Sequence, residues 1–138
     1  MELQPFRVRL AMVGQDTVPK LWPIVEPFLK AAEAENSLQA VNEWLGDCIN
    51  GSAQLWVVVS DVDTVEGAGI TRLSECPSGK ICLIEAFGAK RGNDTLLDTV
   101  EAWAKAEGCK TVRVYGRIGW MHRLKTYRPI GVILERRL

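Results

Sequence analysis

The residues able to do chemistry are few and scattered. Cysteines stand at 48, 76, 82 and 109 with no Cys-x-x-Cys pair, and His122 is the only histidine. A structural zinc site wants close pairs of soft ligands. No metal site is therefore expected, and the four cysteines read as small apolar packers. His122 is flanked by Arg123 and Lys125, with no serine or cysteine nucleophile in its context, and reads as a surface residue. Cys109 follows a helix-stopping glycine and precedes a strand, which again favours packing over nucleophilic work. Arg113, Arg117, Arg123, Lys125, Arg128, Arg136 and Arg137 make the C-terminal quarter basic. Such a patch could hold phosphates, nucleic acid or an acidic protein surface, although a solvated face is the default.

Composition narrows the classes. Seventeen basic residues balance seventeen acidic ones in 138 residues, so bulk charge argues against nucleic-acid binding. At 47% hydrophobic and 25% charged, the chain reads as one soluble globular domain over 1–138. No apolar run approaches the roughly 18 residues of a membrane span. Met1–Pro5 lacks the basic and apolar regions of a secretory signal. The expectation is a cytoplasmic protein with reduced thiols.

The elements that must position these groups follow from hydrophobic periodicity. Residues 6–10 alternate as a half-buried strand. Thr17 is placed to cap a helix from about Val18 to Ala34, with Leu21, Trp22, Val25, Phe28, Leu29 and Ala32 at helical spacing. Pro23 and Pro27 predict a kink or break in it. Ser37 caps a second helix whose apolar face is Ala40, Val41, Trp44, Leu45 and Ile49, stopped at 50–52. Residues 54–60, 68–75 and 80–87 read as three strands of a meander, with a loop at 61–67 and a tight turn at Pro77-Ser78-Gly79. A helix follows, with Leu96, Leu97, Val100, Trp103 and Ala104 on one face, Asn93 or Asp94 as cap and Gly108 as stop. Residues 111–115 form a strand, 119–125 a short helix and 131–135 a last strand. Gly116, Gly119 and Trp120 shape the turn between them. A strand–helix–strand crossover makes the strands at 80–87 and 111–115 parallel, so the sheet is mixed.

This order resembles that of the GNAT N-acetyltransferases. The later half is more similar to short GNAT-like proteins encoded by tailed phages and prophages. The residues that carry the likeness are Ala53-Gln54-Leu55-Trp56-Val57, Glu101-x-Trp103-Ala104-x-x-x-Gly108-Cys109 and Gly116-Arg117-x-Gly119-Trp120-x-x-x-Leu124. The resemblance implies an α/β (α+β) three-layer fold: a mixed central sheet of about six strands, helices on both faces, and the final GNAT strand missing. In GNAT enzymes the acetyl-CoA pyrophosphate sits on the N-terminus of the helix after the fourth strand, where glycines let backbone amides reach the phosphates. Here that stretch is Ala89-Lys90-Arg91-Gly92-Asn93-Asp94, so Lys90, Arg91, Gly92 and Asn93 are the implied cofactor-binding residues. Asp94 opposes them as a competing acceptor and a like charge. Glu85 lies in the strand that often carries the general base. The customary tyrosine acid falls on Leu124, leaving Tyr127, or Tyr115, as a substitute.

Two functions are consistent with these residues. The altered pyrophosphate loop and the displaced tyrosine point to a non-catalytic accessory or virion-associated protein. It would act by contact with a phage structural or host protein, in the host cytoplasm or the particle, with no required cofactor. The fold and Gly92 point to the alternative, an acyl-CoA-dependent N-acetyltransferase acting on an amine, with acetyl-CoA in a cleft between the fourth and fifth strands. An apolar last strand left at a sheet edge also invites a homodimer.

Overall fold

The structure, a computed structural model, describes residues 7–33, 40–90, 96–116 and 123–138. Its elements are β1 (Val8–Val13), α1 (Val18–Ala32), α2 (Val41–Asn50), β2 (Gln54–Ser60), β3 (Val65–Cys76), β4 (Gly79–Ala89), α3 (Leu96–Ala106) and β5 (Thr111–Val114). Sheet order equals chain order. β1 to β4 run antiparallel, and β5 joins β4 in parallel after the α3 crossover.

β2 explains the layering. A strand with helices on both faces must be apolar on both, and its run Leu55-Trp56-Val57-Val58 is. Leu55 and Val57 pack with Trp22, Val25, Leu29 and Trp44 from α1 and α2. Trp56 and Val58 pack on the other face with Leu97, Val100 and Ala104 of α3. Trp103 of α3 meets Trp56 edge-on, with ring centroids 5.4 Å apart.

α1 runs unbroken from Val18 to Ala32, so of the kink or break that its prolines predicted, the break does not occur. Pro19 occupies the first turn, and Pro23 and Pro27 follow at four-residue intervals on the exposed stripe. Each interior proline withdraws the donor owed to the carbonyl four residues back. Those carbonyls, of Pro19 and Pro23, are on the solvent side, where water can serve them. The buried stripe, Val18, Trp22, Val25 and Leu29, is untouched.

α2 begins at Val41, whose amide donates to Glu33 Oε2 at the end of α1 (3.2 Å). The predicted cap, Ser37, lies outside the described residues. Cys48 takes the buried position on this helix, and Ile49, expected inward, is 44% exposed. Eight residues on from Val41, Ile49 has turned past the Val41–Trp44–Cys48 stripe. Gly51, at φ 87°, ends the helix in the left-handed region. The loop after β2 is shorter than the expected 61–67, because the Ser60 hydroxyl accepts from the amides of Val62 and Thr64 and starts β3 at Val65.

The expected strand at 131–135 does not form, so the sheet has five strands among the described residues where about six were expected. Val132, Ile133 and Leu134 have the side chains of a strand but no ladder partner, and are 85%, 65% and 91% exposed. The expected helix at 119–125 falls largely outside the described residues.

Candidate functional site

A β-bulge organises the site. Ile70 of β3 is opposite Ala86 of β4, and Thr71 is opposite Ile84, so Glu85 is one residue too many on β4. Period-two alternation would put Glu85 and Ala86 on opposite faces. The bulge puts both on the α1/α2 face, while Ile84 and Phe87 pack on the α3 face. At the same point β4 and β5 part. Their ladder ends at Ile84 opposite Val114, closed by the Tyr115 amide donating to Ile84 O (3.0 Å). β4 runs on to Ala89, while β5 ends at Val114. Beside Glu85, β4 thus runs past the end of β5, and that stretch of its edge has no β5 partner among the described residues.

Two elements, α2 and β3, converge on the Glu85 carboxylate of β4. Trp44 Nε1 of α2 donates to Oε2 at 2.9 Å, and Arg72 Nε of β3 donates to Oε1. The Arg72 guanidinium also reaches Asp47 Oδ2 of α2 at 2.6 Å. Trp44 and Asp47, one helical turn apart, share the face of α2 that meets the sheet. Burial pulls the Arg72 pKa down, but its hydrogen bonds to Glu85 and Asp47 outweigh that and hold it above its usual value. Two carboxylates on one guanidinium leave an excess of one negative charge. Sequence reasoning found Glu85 and missed Trp44, Asp47 and Arg72. The i, i+3 Trp–Asp spacing was visible, but its partner lies 25 residues away from Asp47.

Tyr127 is not part of this group. It packs on the α3 face, and its hydroxyl donates to Glu101 Oε1 of α3 at 3.3 Å. Burial, and next the Glu101 charge, push its pKa well above the ordinary tyrosine range. The two residues expected to act as base and acid therefore stand on opposite faces of the sheet. Leu124, at the customary acid position, is buried in the α3-side core. Tyr115 is half-buried at the end of β5. Lys90 is exposed just past β4, its amide on Glu66 O at 2.8 Å. Arg91, Gly92, Asn93, Asp94, Gly119, Trp120 and His122 lie outside the described residues. Among the described residues no group of His, Cys, Asp and Glu could hold a metal ion. None of the described helices is long and apolar enough to cross a membrane.

Cys48, Cys82 and Cys109 pack against the apolar cores as expected, whereas Cys76 belongs to neither core and bonds to Ser78 and Gly79. Cys48 and Cys82 are buried, and burial first of all pushes each up to about 12 from the ordinary 9.0, with Asp47 next for Cys48 and Cys109 for Cys82. Cys76 is held below the ordinary value, chiefly by its hydrogen bond with Ser78. Groups harder to ionise in the fold than in the unfolded chain stabilise fully below the unfolded pKa and lose that contribution above it. Stability is thus expected to fall as pH rises from 9.0 towards about 12. Urea titrations at neutral pH and at pH about 10 check this. The decline should shrink when Cys48 and Cys82 are both alanine. A double variant with an unchanged pH dependence rejects the assignment.

No protein-family model matches the chain, and no curated protein matches it. Solved structures do. An aminoglycoside acetyltransferase from an uncultured soil metagenomic sample superposes with a TM-score of 0.68 at 12% identity, covering 95% of this chain and 96% of the other. A predicted acetyltransferase from Clostridium acetobutylicum, solved with acetyl-CoA, gives 0.64 at 13% identity with 95% and 96% covered. This chain has the GNAT fold. A GNAT family acetyltransferase of Staphylococcus aureus gives 0.65 at 16% identity, covering 95% and 98%. Within this GNAT fold, the bulge at Glu85 and the parting of β4 from β5 mark the centre of the candidate site.

Proposed function

We propose that the chain is an acyl-CoA-dependent N-acetyltransferase acting on a cationic amine. The observation that carries this reading is the parting of β4 and β5 at the Glu85 bulge, within a fold shared with acetyltransferases. The stretch of β4 edge beyond β5 suits an extended, amide-bearing cofactor arm, because backbone along a strand edge offers the matching donors and acceptors. Lys90 adds positive charge at the end of β4, and Arg91, Gly92 and Asn93 continue that segment towards the start of α3. When bound, acetyl-CoA supplies the activated acyl group. The chain's own residues then act on the amine. Glu85, with Trp44 and Arg72 engaged, still has lone pairs for an N–H of the acceptor. Its charge holds a cationic amine on the α1/α2 face, and Arg72, braced by Asp47, positions it. Tyr127, on the opposite face of the sheet, is assigned no role in this reading.

A second reading is a GNAT-fold protein that acts by contact alone. The engagement of Tyr127 with Glu101, and of Glu85 with Arg72 and Trp44, favours it. Calorimetric titration with acetyl-CoA separates the two. The enzyme reading expects a dissociation constant between about 1 μM and 1 mM. Asp94→Gly should tighten it by about tenfold, because it removes a competing acceptor and a like charge. Absence of binding by both proteins at millimolar ligand overturns the acetyltransferase reading.

A further inference from the structure

Arg72 stands between two carboxylates of the candidate site and leaves them unequal. Its Nε donates to Glu85 Oε1, and its Nη2 donates to Asp47 Oδ2 at 2.6 Å. Side-chain exposure is 12% for Glu85, 22% for Arg72 and 26% for Asp47. Charges held this far from water are only weakly screened by salt. The Asp47–Arg72 pair is close to neutral at a few ångströms' distance, so the charge left for an acceptor is that of Glu85. Glu43, four residues before Asp47 on α2, is exposed, and water screens its charge. A site for polycations gains by offering both carboxylates. This one withholds Asp47 behind a guanidinium fixed by two ion pairs.

We propose that Arg72 selects the acceptor by masking Asp47. The site then takes an amine with a single positive charge near the reacting nitrogen, and turns away one with a second ammonium within about 6 Å. This rests on the acetyltransferase reading, with Glu85 as the group that meets the amine. A monocation answers the one charge on offer. A second ammonium loses water without gaining an anion, and it lies against a guanidinium of its own sign. Arg72 thus has a part in specificity besides positioning Glu85.

Butylamine and butanediamine have the same reach and differ by one ammonium group. The ratio of their kcat/KM values therefore reads the charge that the site offers. The parent protein should favour butylamine at pH about 8, where neither carboxylate keeps a proton. Arg72→Gln unmasks Asp47 and should move the ratio towards the diamine by about tenfold, the effect of one unit charge about 6 Å away at a dielectric between protein surface and water. D47N/R72Q removes the mask and the masked charge together, and should bring the ratio back to within about twofold of the parent value. Asp47→Asn alone leaves the guanidinium underbalanced and should move the ratio the other way, which keeps the test decisive if Arg72→Gln does not fold. Arg72→Lys keeps the charge and should keep the ratio. A purely structural role for Arg72 would lower both rates together and leave the ratio alone. A parent protein that favours the diamine overturns the proposal. So does a ratio that neither Arg72→Gln nor Asp47→Asn moves in a protein that binds acetyl-CoA. Absence of acetyl-CoA binding overturns the acetyltransferase reading itself, and this proposal with it.

Discussion

Trp44→Ala should cost about 3–5 kcal/mol of stability, the range for truncating a buried tryptophan. The indole is 1% exposed and fills the space between α2 and the sheet beside Val25, Leu29 and Leu55. It also links α2 to Glu85 by a hydrogen bond that does not pass through Arg72. Removing the ring leaves a cavity beside the Asp47–Arg72 pair, which also ties α2 to the sheet. Trp44→Phe separates packing from the hydrogen bond. It keeps most of the apolar volume and loses only the donor to a charged acceptor, so it should cost about 1.5–3 kcal/mol. Denaturant titration of both variants checks this. A cost below about 1 kcal/mol for the alanine variant would mean that α2 is not anchored through this ring.

The second large effect is on transfer itself. Glu85→Gln should lower kcat/KM for a cationic amine by about 10²-fold, the typical loss when a charged or proton-handling group leaves an active site. A polyamine, an amino sugar and a lysine peptide are suitable acceptors to assay. The substitution takes the cluster from one net negative charge to none, because Asp47 and Arg72 remain. Acetyl-CoA affinity should be nearly unchanged, since the cofactor is assigned to the strand edge and the Lys90–Asn93 segment. Asp47→Asn should give a smaller loss, acting only through Arg72. Unchanged turnover in Glu85→Gln would remove Glu85 from the site, whereas lost acetyl-CoA binding would show that the substitution has disturbed β4.

Local pattern determined much of this molecule. The all-apolar run of β2 required cover on both faces, the Pro77-Ser78-Gly79 turn required a hairpin between β3 and β4, and the α3 crossover required a parallel β5. These follow from hydrogen bonding and periodicity within a few residues. They fixed the layers and placed Glu85 on a central strand. Helical spacing likewise made Trp22, Val25 and Trp44 core residues.

Tertiary structure decided the rest. Which face Glu85 takes depends on a bulge, and a bulge is a mismatch between two strands that neither strand encodes alone. Arg72 and Asp47 become partners because α2 packs beside α1, near β2, where its side chains reach Arg72 and Glu85, a packing choice rather than a spacing. Tyr127 looked like a substitute acid in the chain, but the anchor on Glu101 puts it on the opposite face. α1 tolerates Pro23 and Pro27 because burial of its other stripe offsets two missing hydrogen bonds. Residues 131–135 have strand-forming side chains yet no strand, because a strand exists only where a neighbouring edge meets it.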